Sequence, residues 1–122
     1  MQSREKLQGF GRVVRAFGSS AKGLIGAFRE EAAFRQELLF ACVTLPLAIW
    51  LGHNGVERAV LAMPVLIVLI VELLNSAIEA TVDRIGLAPH ALAGLAKDMG
   101  SAAVLLSLIL VAVVWTLVLT GR

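Results

Sequence analysis

Along residues 102–119 the only polar side chains are Ser107 and Thr116. Backbone placed in hydrocarbon must satisfy its own N–H and C=O groups, so a run of this kind reads as a membrane-spanning helix. A bilayer core of about 30 Å takes roughly 20 helical residues. Three stretches reach that length: about residues 32–51, 56–86 and 97–120. The expected fold is therefore all-α, an integral membrane protein with three transmembrane helices. GHNG (residues 52–55) separates the first two spans, and Pro89 with Gly94 marks the turn before the third. Pro46 and Pro64 do not disqualify their spans, because neighbouring helices can satisfy the carbonyls that proline frees.

Composition points the same way. Hydrophobic residues make up 58% of the 122 positions and charged residues 16%, against about 45–50% and about 25% in soluble domains. The length suits one membrane domain covering residues 1–122. A net charge of +2 is too small to argue for nucleic acid. The lone Cys42 lies in an apolar segment, which argues against a disulfide or a thiolate metal site. The first long apolar run begins at Leu38, behind a basic region too long and too patterned for a secretory signal. The whole chain is accordingly expected to be mature protein.

Seven of the eleven Lys and Arg residues fall within the first 37 positions. Arg58 stands in the first connection, Arg84 and Lys97 by the second, and Arg122 at the C-terminus. The positive-inside rule then predicts a cytoplasmic N-terminus and second connection, with the C-terminus outside. The N-terminal region is patterned as a helix over about residues 5–28. Leu7, Phe10, Val14, Phe17, Ala21, Leu24 and Phe28 recur at steps of three and four, and Arg12, Arg15, Ser19 and Lys22 follow another face. Such a basic amphipathic helix suits the membrane interface, or packing against its own bundle. Gly18, Ser19 and Ser20 predict a bend at its middle.

The second span ends in VELLNSAIEATVDRIG (residues 71–86), which carries three carboxylates beside an apolar run. At 100° per residue, Glu72, Asn75, Ser76, Glu79 and Asp83 sit at about 0°, 300°, 40°, 340° and 20°, one narrow stripe. The span is on the order of 45 Å long, more than the hydrocarbon core, so its charged end reaches the interface. Ionisable groups inside a membrane are costly and mark functional sites. Two carboxylates one helical repeat apart can hold a divalent cation, or share the work of base and ligand. Asp83 beside Arg84 reads instead as a helix-end salt bridge. Asn75 reads as a hydrogen-bonding orienter or as inter-helix glue.

Two further polar clusters can meet this stripe at one depth: REEAAFRQE (residues 29–37) and AKDMGS (residues 96–101). Each alone is flanking charge that snorkels to water. Together, with Glu31 among the acids and Lys97 as a phosphate-binding cation, they suggest phosphoryl transfer, in which positioning and charge neutralisation do most of the work. GSSAKG (residues 18–23) has the GxxxxG spacing of a P-loop but continues Leu-Ile, and no kinase glycine loop is present.

The segments EAAFRQE, VELLNSAIEATVDRIG and AKDMGSAAV together resemble the prokaryotic integral-membrane diacylglycerol kinase family, in its Gram-negative form, over nearly the whole chain. The resemblance implies a homotrimer of three-span subunits with an N-terminal surface helix, in the bacterial inner membrane, with sites shared between subunits. It implies transfer of the γ-phosphate of ATP to diacylglycerol, giving phosphatidic acid, with Mg²⁺ as cofactor. Glu72 would be the catalytic base, Glu31 and Glu79 the metal ligands, and Asn75 a supporting residue. Nucleotide contacts would come from Arg12, Ser19, Glu31, Glu79, His90, Lys97 and Asp98. Lipid-substrate contacts would come from Arg12, Phe34, Arg35, Glu72, Ser101 and Trp115. The sequence departs from the family pattern over LAPHALAGLA (residues 87–96), where His90 keeps its match, and at Ser19, which replaces an aromatic. Two rivals remain: a polyprenol kinase with the same chemistry, and a small proton-coupled transporter using an intramembrane Glu.

Overall fold

The computed structural model describes the backbone from residue 2 and side chains from residue 8 to residue 122. Four helices account for most of the described residues: α1 (Gln2–Glu30), α2 (Ala32–Leu51), α3 (Gly55–Ile85) and α4 (Ala91–Thr120). The latter three are long and apolar enough to cross a membrane. The chain divides into two compact units, Met1–Ala32 and Ala33–Arg122.

The N-terminal unit is α1. It runs without interruption through Gly18, Ser19 and Ser20, the stretch the sequence marks as weak. Glycine and serine weaken a helix by up to about 1 kcal/mol each, but without proline every backbone N–H stays available. Phe10, Val14, Phe17, Leu24 and Phe28 are all exposed along the predicted apolar stripe. The stripe's first member, Leu7, and the basic Arg4 and Lys6 lie outside the described side chains. Glu31 is the one non-helical residue between α1 and α2, and its N–H still donates to the Ala27 carbonyl at 2.9 Å.

In the second unit, α2, α3 and α4 share one core of Ala41, Val65, Val68 and Val111, flanked by Leu45, Leu69, Leu108 and Trp115. On α2 the buried residues are Phe34, Ala41 and Ala48, spaced by sevens along one stripe. Ala41 joins the shared core from this stripe, packing that matters because lipid offers no hydrophobic drive for helices to associate. Cys42, about 100° around α2 from that stripe, is exposed.

The principal packing is the antiparallel contact of α3 with α4. Pro64 leaves the Val60 carbonyl without a helical donor. One residue along, the Leu61 carbonyl accepts from Trp115 Nε1 at 2.9 Å. An inter-helix bond thus lies beside the proline, on a carbonyl other than the one it frees.

The connection at residues 52–54 is tightly built. Asn54 caps α3 by accepting from the Glu57 N–H at 2.9 Å. Arg58 Nε donates to the Ile49 carbonyl at 3.0 Å, and Arg122 donates to the Leu51 carbonyl. Arg122 also pairs with Glu57 at 3.0 Å. Both arginines therefore serve the unbonded carbonyls and negative dipole end of α2. Gly52 is required here, because a Cβ would lie 2.5 Å from Arg58 Cγ and 2.9 Å from its backbone nitrogen.

At the other end α4 begins at Ala91, six residues before the expected start, and Gly94 lies within the helix, not in the turn. His90 explains the difference. Its Nδ1 accepts the Leu92 N–H at 3.1 Å, giving an N-cap directly after Pro89.

Trp115→Phe keeps an aromatic ring but leaves the Leu61 carbonyl without this donor. It is expected to destabilise the second unit by about 1–2 kcal/mol, read from reversible unfolding in micelles. An unaltered unfolding free energy would show that the bond adds nothing.

Candidate functional site

The carboxylate stripe is a continuation of the packing seam of α3. Leu61, Val65 and Val68 are buried, and Glu72, Asn75, Glu79 and Asp83 follow at steps of three and four. On the facing helix the seam passes through Lys97, Gly100, Ser107, Val111 and Trp115. Three contacts fix the register between the helices: Leu61 with Trp115, Asn75 against Gly100, and Asp83 with Lys97.

Burial falls along the polar half. Glu72 is only 4% exposed and Asn75 8%. Ser76 and Glu79 are half-buried, and Asp83 is exposed. With 1.5 Å of rise per residue, Glu79 lies about 10 Å along the axis from Glu72, and Asp83 roughly 16 Å. The helix thus carries one carboxylate sealed within the bundle and one with access to its surroundings.

Asn75 stands one turn from each acid. Its Nδ2 donates to Glu79 Oε1 at 3.4 Å, a long bond between side chains on successive turns. Its Oδ1 is buried and has no hydrogen-bond partner among the described residues. Both sequence readings of Asn75 therefore have a counterpart: it touches Glu79 on its own helix and Gly100 on the next.

Asp83 pairs with Lys97 Nζ at 2.7 Å, not with Arg84 as expected. Adjacent residues on a helix point about 100° apart, so Arg84 turns away from the stripe while Lys97 faces it from α4. Both partners are close to half exposed, at 43% and 45% of their side-chain surface. A pair with this much access to solvent exchanges its partner readily.

The other predicted residues are dispersed. Arg12, Ser19 and Glu31 belong to the N-terminal unit, with Arg12 and Ser19 exposed and Glu31 half-buried. Phe34 is buried near the start of α2, and Arg35 beside it is exposed. Asp98 and Ser101 are exposed on α4, flanking the seam. His90 has its Nδ1 engaged in capping α4. Trp115 is bonded to Leu61, eleven residues along α3 from Glu72 and on the side away from Glu79. Among the described residues no three His, Cys, Asp or Glu side chains converge as a metal cage.

Near the polar end, a cavity of about 460 Å³ opens beside the α3–α4 connection, lined by Val82, Ile85, Pro89, His90, Leu92 and Ala93 among others. Its lining is mostly apolar, with His90 the ionisable side chain among these residues. Gly100 is a seam residue that the sequence shows only within the polar cluster AKDMGS. The signal was its spacing, three residues beyond Lys97 and four before Val104 on the inward face.

Comparison with known proteins bears directly on this arrangement. The sequence model of the prokaryotic diacylglycerol kinase family matches residues 18–119. The chain is 50% identical to the diacylglycerol kinase of Escherichia coli (strain K12) over 91% of each chain. It is 50% identical to the diacylglycerol kinase of Pseudomonas aeruginosa over 93% of this chain and 92% of that one. The diacylglycerol kinase of Haemophilus influenzae is 44% identical over 90% of this chain and 93% of its own.

Proposed function

The chain belongs to the prokaryotic diacylglycerol kinase family, and from that premise we propose that Glu72 is the base of a lipid kinase. The reaction is transfer of the γ-phosphate of ATP to the free hydroxyl of 1,2-diacylglycerol. The hydroxyl oxygen forms a bond to the γ-phosphorus, the bridging bond to the β-phosphate breaks, and the hydroxyl proton passes to the Glu72 carboxylate. Phosphatidic acid and ADP are the products.

The observation that carries this reading is a carboxylate only 4% exposed on a helix able to span a membrane. Lipid hydroxyls lie near the interface whereas ATP arrives from water. A base about 10 Å deeper than Glu79 along one helix serves both substrates. Positioned general bases contribute typically about 10²–10⁴-fold to rate.

Glu79 supplies oxygen ligands of the kind Mg²⁺ takes, one or two carboxylates together with substrate phosphates, and Glu31 is the second carboxylate in this reading. The ion would neutralise charge on the transferring phosphoryl group. Lys97 exchanges Asp83 for a nucleotide phosphate, and Asp98 on the same turn orients the nucleotide. Arg12 and Ser19 on α1 contribute nucleotide or lipid contacts. Phe34, Arg35, Ser101 and Trp115 line the path of the lipid.

The orientation follows from the cations: the N-terminus and residues 86–90 face the cytoplasm of a bacterial inner membrane. Arg58 and Arg122 stand at the opposite end, where both are engaged with carbonyls of α2. The working unit is a homotrimer, which would cover the exposed apolar flank of Ile70, Leu74 and Ile78 beside the stripe.

Glu72→Gln keeps the shape and removes the base. Turnover of diacylglycerol is expected to fall about 10²–10⁴-fold with the KM for Mg·ATP little changed; wild-type turnover would sink the assignment. Glu79→Gln is expected to raise the Mg²⁺ concentration for half-maximal rate more than about tenfold, and an unaltered Mg²⁺ dependence would remove Glu79 from the ligand set. Undecaprenol offered in the same detergent assay is expected to be the poorer acceptor. Its equal or faster phosphorylation would reassign the lipid.

A further inference from the structure

Gly100 is buried inside α4, as the tenth residue of the helix, where glycine is a poor choice for helix stability. Backbone conformation does not require it, since no described glycine has a positive φ. What requires it is the neighbouring helix. A Cβ at this position would overlap the Oδ1 of Asn75 and come within 3.1 Å of its Cγ. The contact is specific to this glycine: a Cβ on Gly94, earlier in α4, meets nothing within 4 Å.

The Asn75 side chain has two unlike ends. Its amide nitrogen only donates and its oxygen only accepts, while an ionised carboxylate only accepts. Turned as it is, the amide offers Nδ2 to Glu79 and lodges Oδ1 in the space left by Gly100. The reverse orientation would set two oxygens against one another at Glu79. The oxygen is buried without a partner, so its own hydrogen bonding does not hold the amide in place. The bond to Glu79 sets which end of the amide faces which way, and the missing side chain of Gly100 leaves the room that this position needs.

We propose that Gly100 is a positioning residue for phosphoryl transfer: its absent side chain fixes the Asn75 amide, which in turn orients the Glu79 carboxylate for the metal–nucleotide complex. The inference rests on the reading of Glu79 as a metal ligand. It differs from the simpler role of a small residue that lets two helices approach. That role predicts loss of stability from a larger side chain, whereas positioning predicts a loss confined to metal binding and shared with Asn75.

The test uses the full chain in detergent micelles, with Gly100→Ala, Asn75→Ala, the double variant, and Gly94→Ala as control. Mn²⁺ binding in the presence of a non-hydrolysable ATP analogue is followed by electron paramagnetic resonance, beside the kinetic KM for Mg²⁺ and the unfolding temperature. Gly100→Ala and Asn75→Ala are each expected to weaken Mn²⁺ binding at least about tenfold, as loss of a residue supporting a metal ligand does. The double variant is expected to bind no worse than Asn75→Ala alone, because both changes break one link. Gly94→Ala should bind as the unaltered chain does.

Unchanged Mn²⁺ binding in Gly100→Ala overturns the proposal, as do losses that multiply in the double variant. If Gly100→Ala does not fold, the double variant decides, since shortening residue 75 makes room for the new methyl group. Folding with the binding of Asn75→Ala supports the proposal, and failure to fold assigns Gly100 to helix packing alone.

Glu79→Gln separates the two readings. Full Mn²⁺ binding there removes the metal role of Glu79. The link is then judged by the Asn75 side-chain amide resonance, which Gly100→Ala and Glu79→Gln should both displace. A resonance that Gly100→Ala leaves in place overturns the positioning itself.

Discussion

Helices that cross lipid gain nothing by hiding apolar side chains from water, so α3 and α4 depend on close packing and on hydrogen bonds lipid cannot supply. The seam between them meets that constraint differently along its length. From Leu61 to Val68 it is a packed apolar stripe, fastened by the Trp115 bond to the Leu61 carbonyl. From Glu72 onward the same stripe is polar, and the contact is maintained by Asn75 against Gly100 and by the Asp83–Lys97 pair. Because one register serves both halves, residues that hold the fold also set where the carboxylates face. A slip of one position along the seam would rotate Glu72 and Glu79 by about 100° away from their neighbours.

The graded burial gives the polar half its chemical range. In lipid or a tightly packed bundle, each acid costs free energy according to how completely it loses water. Glu72 bears most of that cost and Asp83 little, with Glu79 between them. A base that must take a proton from a lipid hydroxyl benefits from a site that excludes water, which would otherwise compete for the phosphoryl group. A metal ligand must stay reachable by a nucleotide complex. On the roles proposed for Glu72 and Glu79, the gradient of burial along one helix meets both conditions.

Much of this is legible in the residues. Length and hydropathy mark three spans because the bilayer fixes the length of a crossing helix, and helical periodicity places the five polar residues on one stripe. Features that depend on the facing helix are less visible. Arg84 is nearer than Lys97 to Asp83 in sequence, yet α4 brings Lys97 onto the inward face and the pair forms there. The start of α4 is hard to read in sequence because a capping histidine after proline is a weaker signal than Ser, Thr, Asp or Asn. Gly18 and Gly94 look like breakers in sequence, but each lies in a continuous helix with open space around it. Gly100 looks no different, and only the position of Asn75 on another helix sets it apart. Sequence periodicity finds the face a residue occupies; the partner on that face comes from packing.

The two ends of the second unit also differ in how fully their polar groups are used. Around residues 52–54, two arginines, a carboxylate and a capping asparagine are all spent on helix ends and on one another. Such an arrangement is complete in itself and offers a ligand little. In the polar half of the α3–α4 seam, by contrast, a buried carboxylate, an unpartnered amide oxygen and a helix-interior glycine lie within about one turn of each other. Each breaks a local rule of stability, and natural proteins concentrate such exceptions at functional sites. The seam tolerates them because its apolar half and the clasped opposite end hold the helices together independently. The roles proposed for Glu72 and Glu79 thus fall where the helix pair gives up local stability.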